Sequence, residues 1–208
     1  MTKVLDLFSG LGGWSNPWRE AGDPVFAIDI APRFQAEAQI DVGDVAAVLD
    51  ALPWRPDLVL ASPPCTSFTT MTMGRNWTHE GEPRTESARQ GQRLVLATIR
   101  ILAALRPERW VIENPRARLR SLGLLDGFER RTVTYCQLGE ARMKPTDLWF
   151  GGDWAGFDLP PACKNGDPCH VRAPRGSRTG TQGMDSALAG LIPARLAWMV
   201  RDFIVGTY

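Results

Sequence analysis

The sequence predicts an α/β domain with a mostly parallel sheet and helices on both faces. Short apolar, β-branched runs recur along the chain, and helix-compatible segments separate them. These runs are Val4 to Phe8, Val25 to Ile30, Asp57 to Ala61, Trp110 to Glu113 and Thr132 to Tyr135. The clearest predicted helix covers Glu86 to Leu105, which combines good helix formers with an extended apolar face.

The overall composition is that of an ordinary globular protein. The chain has 208 residues, of which 44% are hydrophobic and 23% are charged, and this excludes a largely disordered protein. Its longest apolar stretch, Leu94 to Leu105, contains Arg100 and is shorter than the roughly 20 residues of a membrane span. Met1 to Gly10 lacks the apolar core of a secretory signal. We therefore expect a cytoplasmic protein without membrane association, and nothing in the sequence calls for an obligate protein partner or for more than a monomer.

Three regions are predicted along the chain. Residues 1–150 hold the alternating strands and helices and form the core. Residues 151–185 are rich in glycine and proline, which predicts a long functional loop or a small recognition subdomain. Residues 186–208 contain an amphipathic segment, roughly Pro193 to Ile204, which is predicted to pack back on the core as a helix.

The net charge of +1 conceals an uneven distribution of charged residues. Residues 1–83 carry 5 basic and 11 acidic side chains, whereas residues 84–144 carry 13 basic and 6 acidic ones. Twelve of these 13 basic residues are arginines, whose guanidinium groups suit bidentate contacts to phosphate. A nucleic-acid partner is one interpretation, and a solvated arginine-rich surface is the other.

A glycine-rich segment, Asp6 to Gly13, follows the first predicted strand and opens a helix in which Pro17 can occupy the first turn. Glycine allows a ligand to approach the backbone closely at such a turn. No Gly-Lys-Ser/Thr follows, so a phosphate-binding loop of the Walker type is excluded. Asp29 ends the second strand, where an acidic residue conventionally holds ribose hydroxyls. Together these features predict an adenosine-containing cofactor, and a plain tight turn with a solvent-facing aspartate is the alternative.

Two further segments place reactive side chains at strand ends. Ser62-Pro63-Pro64-Cys65 follows a strand directly, and its prolines restrict the backbone in front of the thiol. Glu113-Asn114-Pro115 ends another strand, so its carboxylate faces the same crevice as Cys65 if the strands are neighbours. These residues suit a nucleophile and a general acid. A buried structural cysteine and a capping or ion-pairing glutamate are the alternatives.

With these motifs in family order across residues 4–144, the chain resembles a compact DNA cytosine-5 methyltransferase. The resemblance implies a Rossmann-like fold that binds S-adenosylmethionine, and it implies DNA as partner. It assigns to the cofactor the residues Asp6, Phe8, Ser9, Gly10, Gly12, Gly13, Asp29, Ile30, Asp44, Val45 and Pro63.

The same resemblance implies the reaction and its catalytic residues. Cys65 would add to carbon 6 of cytosine and Glu113 would donate to ring nitrogen 3. Gly139 to Lys144 resembles, more loosely, the family's Gln-x-Arg-x-Arg motif, so Arg142 would hold the exocyclic oxygen. The residues implied to contact the target base or the DNA are Pro64, Asn114 and Lys144. The same chemistry on RNA and a catalytically silent nucleic-acid-binding module remain alternatives.

The chain departs from the family pattern in several places. Thr66 and Glu140 stand where glutamines are common, and Ala189 to Pro193 is at most a remnant of the final motif. Only residues 145–185 fill the usual place of the target-recognition region, which predicts a short or relaxed recognition sequence. Candidates for contacts in a DNA groove are Arg172, Arg175, Arg178 and Gln182, and a solvated loop is the alternative. A role in restriction-modification and protection of phage DNA are both compatible with such an enzyme.

Four cysteines are too few for a disulfide scaffold in a chain of this size. Three of them are not assigned to the reaction, and His170 is adjacent to one of these. Nitrogen and sulfur ligands of this kind suit zinc, although the spacing is not a standard one. A structural zinc site is therefore a hypothesis for Cys136, Cys163, Cys169 and His170.

Overall fold

The computed structural model describes residues 1–172, 181 and 183–207. It contains six strands: β1 (Val4–Leu7), β2 (Val25–Ile28), β3 (Leu58–Ala61), β4 (Arg109–Pro115), β5 (Glu129–Thr134) and β6 (Pro145–Gly151). It contains the helices α1 (Asn16–Glu20), α2 (Val45–Ala51), α3 (Met73–Asn76), α4 (Glu86–Leu105), α5 (Ser186–Gly190) and α6 (Ala194–Val205).

The six strands form one sheet in the order β2-β1-β3-β4-β6-β5. The pairs β1–β2, β1–β3 and β3–β4 are parallel, while β6 runs antiparallel to both of its neighbours. The predicted mostly parallel α/β sheet is confirmed. The strand β6 was not predicted, because Pro145 and Asp147 interrupt its apolar run. In the structure Asp147 is nevertheless fully buried, and its charge is compensated by an ion pair with Arg120.

Alternation along the strands fills two cores, one on each face of the sheet. Leu5, Val59 and Ile112 point to the face that α2 and α4 cover. Val4, Leu60 and Val111 point to the other face, where Trp18 of α1 and Leu196 of α6 are buried. Because both faces of the central strands are covered, their sequences are almost continuously apolar.

The long helix α4 begins and ends where the sequence predicts. The Thr85 hydroxyl accepts a hydrogen bond from the backbone N–H of Ala88, 3.2 Å away, and so caps the first turn. Arg106 adopts a left-handed conformation after the last turn, with its N–H donating to Leu102 O. The closing helix α6 also agrees closely with its predicted bounds.

The segment after β6 is partly anchored in the core. Trp154 and Phe157 are buried against Phe150 of β6 and the aromatic ring of Phe203 in α6. Within residues 152–172 the structure contains turns but neither helix nor strand. Across the described parts of the chain, we find no helix with the length and apolar character needed to cross a membrane.

Candidate active site

The site lies where the strand order reverses, at the carboxyl ends of β1, β3 and β4. From β1 the chain passes to β2 on one side and then to β3 on the other, so the connections diverge and leave a crevice. The register aligns Leu7 with Ala61 and Ala61 with Ile112, so β1 and β3 end at the level of Ile112, and β4 continues for three residues past them, beginning with Glu113. A cavity of about 370 Å³ occupies this position. Its volume is typical of small-molecule sites.

The glycine-rich loop after β1 forms one wall of the cavity. Phe8 and Gly10 both have positive φ angles, 62° and 53°, and both line the cavity. A non-glycine residue in this conformation is strained, and such strain concentrates at functional sites. A Cβ atom on Gly13 would lie 2.8 Å from the backbone nitrogen of Ile192, so only glycine allows this close approach. Ser9 completes the wall formed by this loop.

Asp29 forms the edge of the same wall. Its Oδ2 accepts the backbone N–H of Gly10 at 3.0 Å and its Oδ1 accepts that of Ala31 at 2.8 Å. Each carboxylate oxygen can accept a further hydrogen bond, because it has two lone pairs. Ile30, Val42 and Leu94 add apolar surface beside it. The combination suits an adenosine group with ribose hydroxyls at its edge.

Cys65 lies at the opposite wall with Pro63 and Pro64. The loop that carries it is fixed by two hydrogen bonds, from Asn114 Nδ2 to Pro63 O at 2.8 Å and from Trp14 Nε1 to Ser62 Oγ at 3.0 Å. Burial raises the pKa of the Cys65 thiol, and the nearby Glu113 carboxylate raises it further, whereas Lys144 opposes both effects. These effects favour the neutral form of the thiol.

Glu113 is buried beneath the same cavity, with only 3% of its surface exposed. Its Oε1 accepts the Tyr135 hydroxyl at 2.9 Å and lies 3.6 Å from Lys144 Nζ. Burial and Glu113 together raise the pKa of Tyr135 well above its usual value, so its hydroxyl remains a donor. Tyr135 was not predicted as a site residue, and its only signal in the sequence was its position at the end of a predicted strand.

The segment that resembles the arginine motif differs from expectation. Lys144, predicted as a DNA contact, is 3% exposed and faces Glu113 from the cavity wall. Arg142, predicted beside the base, is buried outside the lining of the cavity. It lies 3.8 Å from Glu140 and donates to Met184 Sδ at 3.4 Å. Of these two residues, Lys144, which has the strained φ angle of 27°, is the one whose ammonium group faces the cavity.

Five further residues predicted to contact ligands lie outside the cavity lining. Asp6 is buried within β1, where burial raises its pKa to about 7. Asp44 accepts a hydrogen bond from the N–H of Ala47 and so caps α2. Its neighbour Val45 is the first residue of that helix. Gly12 packs against Asn16, and the fully buried Asn114 holds the Cys65 loop instead of facing the cavity. The segment before Asp44 reaches the cavity through Ile40, Asp41 and Val42.

Three of the twelve arginines in residues 84–144 make contacts that hold the protein's own loops and strands together. Arg120 pairs with Asp147 at 2.8 Å, Arg118 donates to Thr78 O at 2.7 Å, and Arg131 donates to Phe157 O. Arg116 and Arg130 are exposed, as is Arg172 in the region predicted for recognition. The other predicted groove contacts, Arg175, Arg178 and Gln182, lie outside the described residues.

The three cysteines other than Cys65 lie close to one another and to His170, beside the turn that begins with Tyr135. Cys136, Cys163, Cys169 and His170 place one ligand atom each within 4.8 Å of all the others. The sequence hypothesis of a cluster is thus matched by the arrangement of these side chains.

These features define the class of protein. A mostly parallel sheet, a glycine loop after β1, an acidic residue after β2 and a cavity at the switch point constitute the Rossmann-like fold of S-adenosylmethionine-dependent methyltransferases. Within that class, the family profile described as C-5 cytosine-specific DNA methylase matches residues 2–121, which is more than half of the chain. The chain belongs to this family.

Known proteins resemble the chain at low identity. A probable DNA (cytosine-5)-methyltransferase of Frog virus 3 (isolate Goorha) is 27% identical over 172 residues, which cover 80% of this chain and 77% of the viral protein. The fold also resembles an E. coli prophage protein described as a DNA modification methyltransferase, with a TM-score of 0.51, 19% identity and 74% of this chain covered.

A second structural neighbour is the methyltransferase EhMeth of Entamoeba histolytica, with a TM-score of 0.53, 17% identity and 72% of this chain covered. The matches cover 47% of the prophage protein and 52% of EhMeth, so the chain spans about half of their length. These structural neighbours support the fold.

Proposed function

We propose that this protein transfers the methyl group of S-adenosylmethionine to carbon 5 of cytosine in DNA through a covalent intermediate on Cys65. The observation that carries the proposal is the placement of Cys65 and Glu113 in the cavity that the glycine loop and Asp29 also line. A nucleophile, a buried carboxyl group and an adenosine-type pocket at one switch point satisfy the requirements of this reaction.

The residues of the pocket fit the cofactor. Phe8, Ser9, Gly10 and Gly13 would hold it through the backbone, and the close approach at Gly13 shows that a side chain there would obstruct the loop. Asp29 would accept the ribose hydroxyls. When bound, S-adenosylmethionine supplies an electrophilic methyl group on a positively charged sulfur.

The cytosine ring needs activation because its carbon 5 is a weak nucleophile. The Cys65 thiolate forms a bond to carbon 6, which makes carbon 5 an enamine carbon able to accept the methyl group. Glu113 takes up through solvent the proton that the Cys65 thiol loses, and it donates this proton to ring nitrogen 3, which stabilises the charge that develops there.

Carbon 5 then takes the methyl group as the sulfur–methyl bond of the bound cofactor breaks, which leaves S-adenosylhomocysteine. The carbon-5 proton passes to solvent, and the electrons of that bond re-form the double bond between carbons 5 and 6. The bond between sulfur and carbon 6 breaks to restore Cys65, and ring nitrogen 3 returns its proton to Glu113.

The antiparallel strands supply the groups that orient Glu113. Tyr135 donates to Oε1, which leaves Oε2 free to face the base. Lys144 Nζ lies 3.6 Å from the same Oε1 and also lowers the pKa of the Cys65 thiol. In this position Lys144 takes the role near the base that the sequence analysis gave to Arg142.

The stacked base of duplex DNA hides carbon 6, so the target must turn out of the helix to reach Cys65. Exposed Arg116, Arg130 and Arg172 can contact phosphates during this step. Residues 151–185 are proposed to carry recognition, with Arg175, Arg178 and Gln182 reading a short or relaxed site.

The test is incubation with S-adenosylmethionine and either duplex DNA, single-stranded DNA or RNA, followed by nucleoside mass spectrometry. We expect 5-methylcytosine in duplex DNA with the wild type and none with Cys65→Ala, which should still bind DNA. Modification of RNA alone would replace DNA by RNA as the substrate. Equal product from Cys65→Ala would refute the covalent mechanism, and no product on any substrate would favour a silent binding module.

A further inference from the structure

A side-chain cluster outside the proposed active site brings together three cysteines and a histidine that the methyl-transfer mechanism does not use. The cysteine-histidine cluster consists of Cys136, Cys163, Cys169 and His170. Cys136 lies in the turn after β5, and the other three residues lie 27 or more positions further along the chain. The fold, and not the local sequence, therefore creates the cluster.

The four ligand atoms of the cluster lie within 4.8 Å of one another. Three of the four separations given below match those of a tetrahedral zinc site, while the separation between Cys136 and Cys163 is shorter. Cys136 Sγ lies 3.2 Å from Cys163 Sγ and 3.7 Å from Cys169 Sγ. His170 Nδ1 lies 3.7 Å from Cys163 Sγ and 3.5 Å from Cys169 Sγ. Zinc bonds of about 2.3 Å to sulfur and about 2.0 Å to nitrogen place tetrahedral ligand atoms about 3.5 to 3.8 Å apart. A disulfide would need a sulfur separation of about 2.05 Å.

We propose that these four residues bind a structural Zn²⁺ ion, with three thiolate ligands and the Nδ1 atom of His170. Three cysteines and one histidine are one of the common ligand sets of structural zinc. Four protein ligands complete a tetrahedral shell, so the ion has no open position and takes no part in chemistry. The proposal does not depend on the substrate of the enzyme.

The backbone holds the ligands in place on both sides of the site. The N–H of Cys163 donates to Thr134 Oγ1 at 3.0 Å, which fixes the first ligand of the later segment beside the end of β5. Between the ligands, the N–H of Lys164 donates to Asp167 Oδ2 at 2.7 Å and closes a turn. After His170, the N–H of Val171 donates to Ala141 O at 2.8 Å. These hydrogen bonds fix residues 163–171 against the segment from Thr134 to Ala141, so the ligands of both segments face the same point.

The ion would fasten residues 163–170 to the turn that begins with Tyr135. That tyrosine donates to Glu113, and Cys136 is its direct neighbour. A segment poor in regular structure gains a fixed position from such a cross-link, because the metal binds the folded arrangement in preference to the unfolded chain. The zinc ion would thus order the start of the region proposed for recognition.

The test is metal analysis of the purified full-length protein by mass spectrometry, with three variants. Cys163→Ser and Cys169→Ser each remove one ligand, and Cys65→Ser is the matched control because its thiol lies outside the cluster. We expect about one zinc per chain in the wild type and in Cys65→Ser, and a loss of at least fivefold in the two cluster variants. Wild-type protein that remains sub-stoichiometric after incubation with excess Zn²⁺ would overturn the proposal.

Two measurements on the wild type keep the proposal testable if the cluster variants fail to fold. Replacement of zinc by Co²⁺ should give the visible absorption of a tetrahedral site with thiolate ligands, and excess Zn²⁺ should remove it. Titration of thiols in denatured, unreduced, chelator-treated protein should give four per chain. A count of two would show a disulfide, and another bound metal in place of zinc would likewise contradict the assignment.

Discussion

The two halves of the sheet contribute different things to the site. The parallel half, β2-β1-β3-β4, carries the glycine loop, Asp29, Cys65 and Glu113. The antiparallel half, β6 and β5 with residues 135–172, contributes Lys144, Tyr135 and the cysteine-histidine cluster. The family match covers all of the parallel half and ends before β5. The proposed reactive groups thus lie in the half that the family match covers, and Tyr135 and Lys144, which contact Glu113, lie in the half outside it.

The largest effect on activity short of removing the nucleophile is expected in the parallel half. Glu113→Gln keeps the size of the side chain but removes the acid, so the single-turnover rate of methyl transfer should fall by about 10²- to 10⁴-fold. The exposed Glu108 provides a matched control, and Glu108→Gln should retain the wild-type rate. A rate within threefold of wild type for Glu113→Gln would show that the carboxyl group is not the acid.

Tyr135→Phe tests how strongly the antiparallel half orients Glu113. The variant keeps the ring that lies 4.4 Å from Lys144 Nζ but loses the hydroxyl that donates to Glu113. One hydrogen bond to a charged group contributes about 1.5 to 3 kcal/mol, so a fall of about ten- to hundredfold in the rate is expected. The melting temperature serves as the control for folding. An unchanged rate in a folded variant would assign Tyr135 a purely structural role.

Lys144→Gln tests the contribution of the antiparallel half to the nucleophile. Because Lys144 lowers the pKa of the Cys65 thiol, its removal should move the acid limb of the pH–rate profile to higher pH. At neutral pH the rate should fall severalfold, because a smaller fraction of the thiol is ionised. Arg142→Gln should leave the position of that limb unchanged. A shift caused by Arg142→Gln and absent in Lys144→Gln would restore the roles predicted from the sequence.

Asp6 of the parallel half should have the smallest effect on activity. The folded protein holds its proton up to about pH 7, whereas the ordinary pKa is 3.8, so stability should fall as the pH rises between these values. Asp6→Asn removes this loss and should be more stable than the wild type above about pH 7, with a smaller difference near pH 4. Urea unfolding at several pH values checks this. A large loss of cofactor affinity in Asp6→Asn would instead support the direct contact predicted from the sequence.

The sequence was most informative where local patterns determine the structure. Apolar runs predicted β1 to β4, and α4 begins at Glu86 and ends at Leu105 as predicted. Motif order indicated the family. Asp29 and Cys65 follow parallel strands, and Glu113 lies in β4 just past the end of its parallel pairing with β3, so all three line one cavity. In a parallel sheet such positions lie at the same edge, so the strand assignments alone predict that these side chains are close together.

The remaining features depend on contacts between distant residues. The strand β6 is hidden in the sequence because its buried Asp147 is compensated by Arg120, 27 positions away. Lys144 faces the cavity in contact with Glu113 and Tyr135, which are distant from each other in the sequence. Asp44 caps α2, and the residues before it, Ile40 to Val42, line the cavity in its place. Pattern and spacing cannot specify such partners, since they arise only when the chain is folded.

The central claim is that Cys65 attacks carbon 6 of a cytosine that is held by Glu113 of the parallel half and Lys144 of the antiparallel half. It is tested most directly with duplex DNA in which 5-fluorocytosine replaces cytosine, because fluorine cannot leave as the proton does and the adduct accumulates after methyl transfer. With S-adenosylmethionine present, the wild type should form a protein–DNA complex that survives denaturation, and peptide mass spectrometry should locate the attachment at Cys65. Cys65→Ala should form none. An adduct at another residue, or an equal yield from Cys65→Ala, would contradict the account.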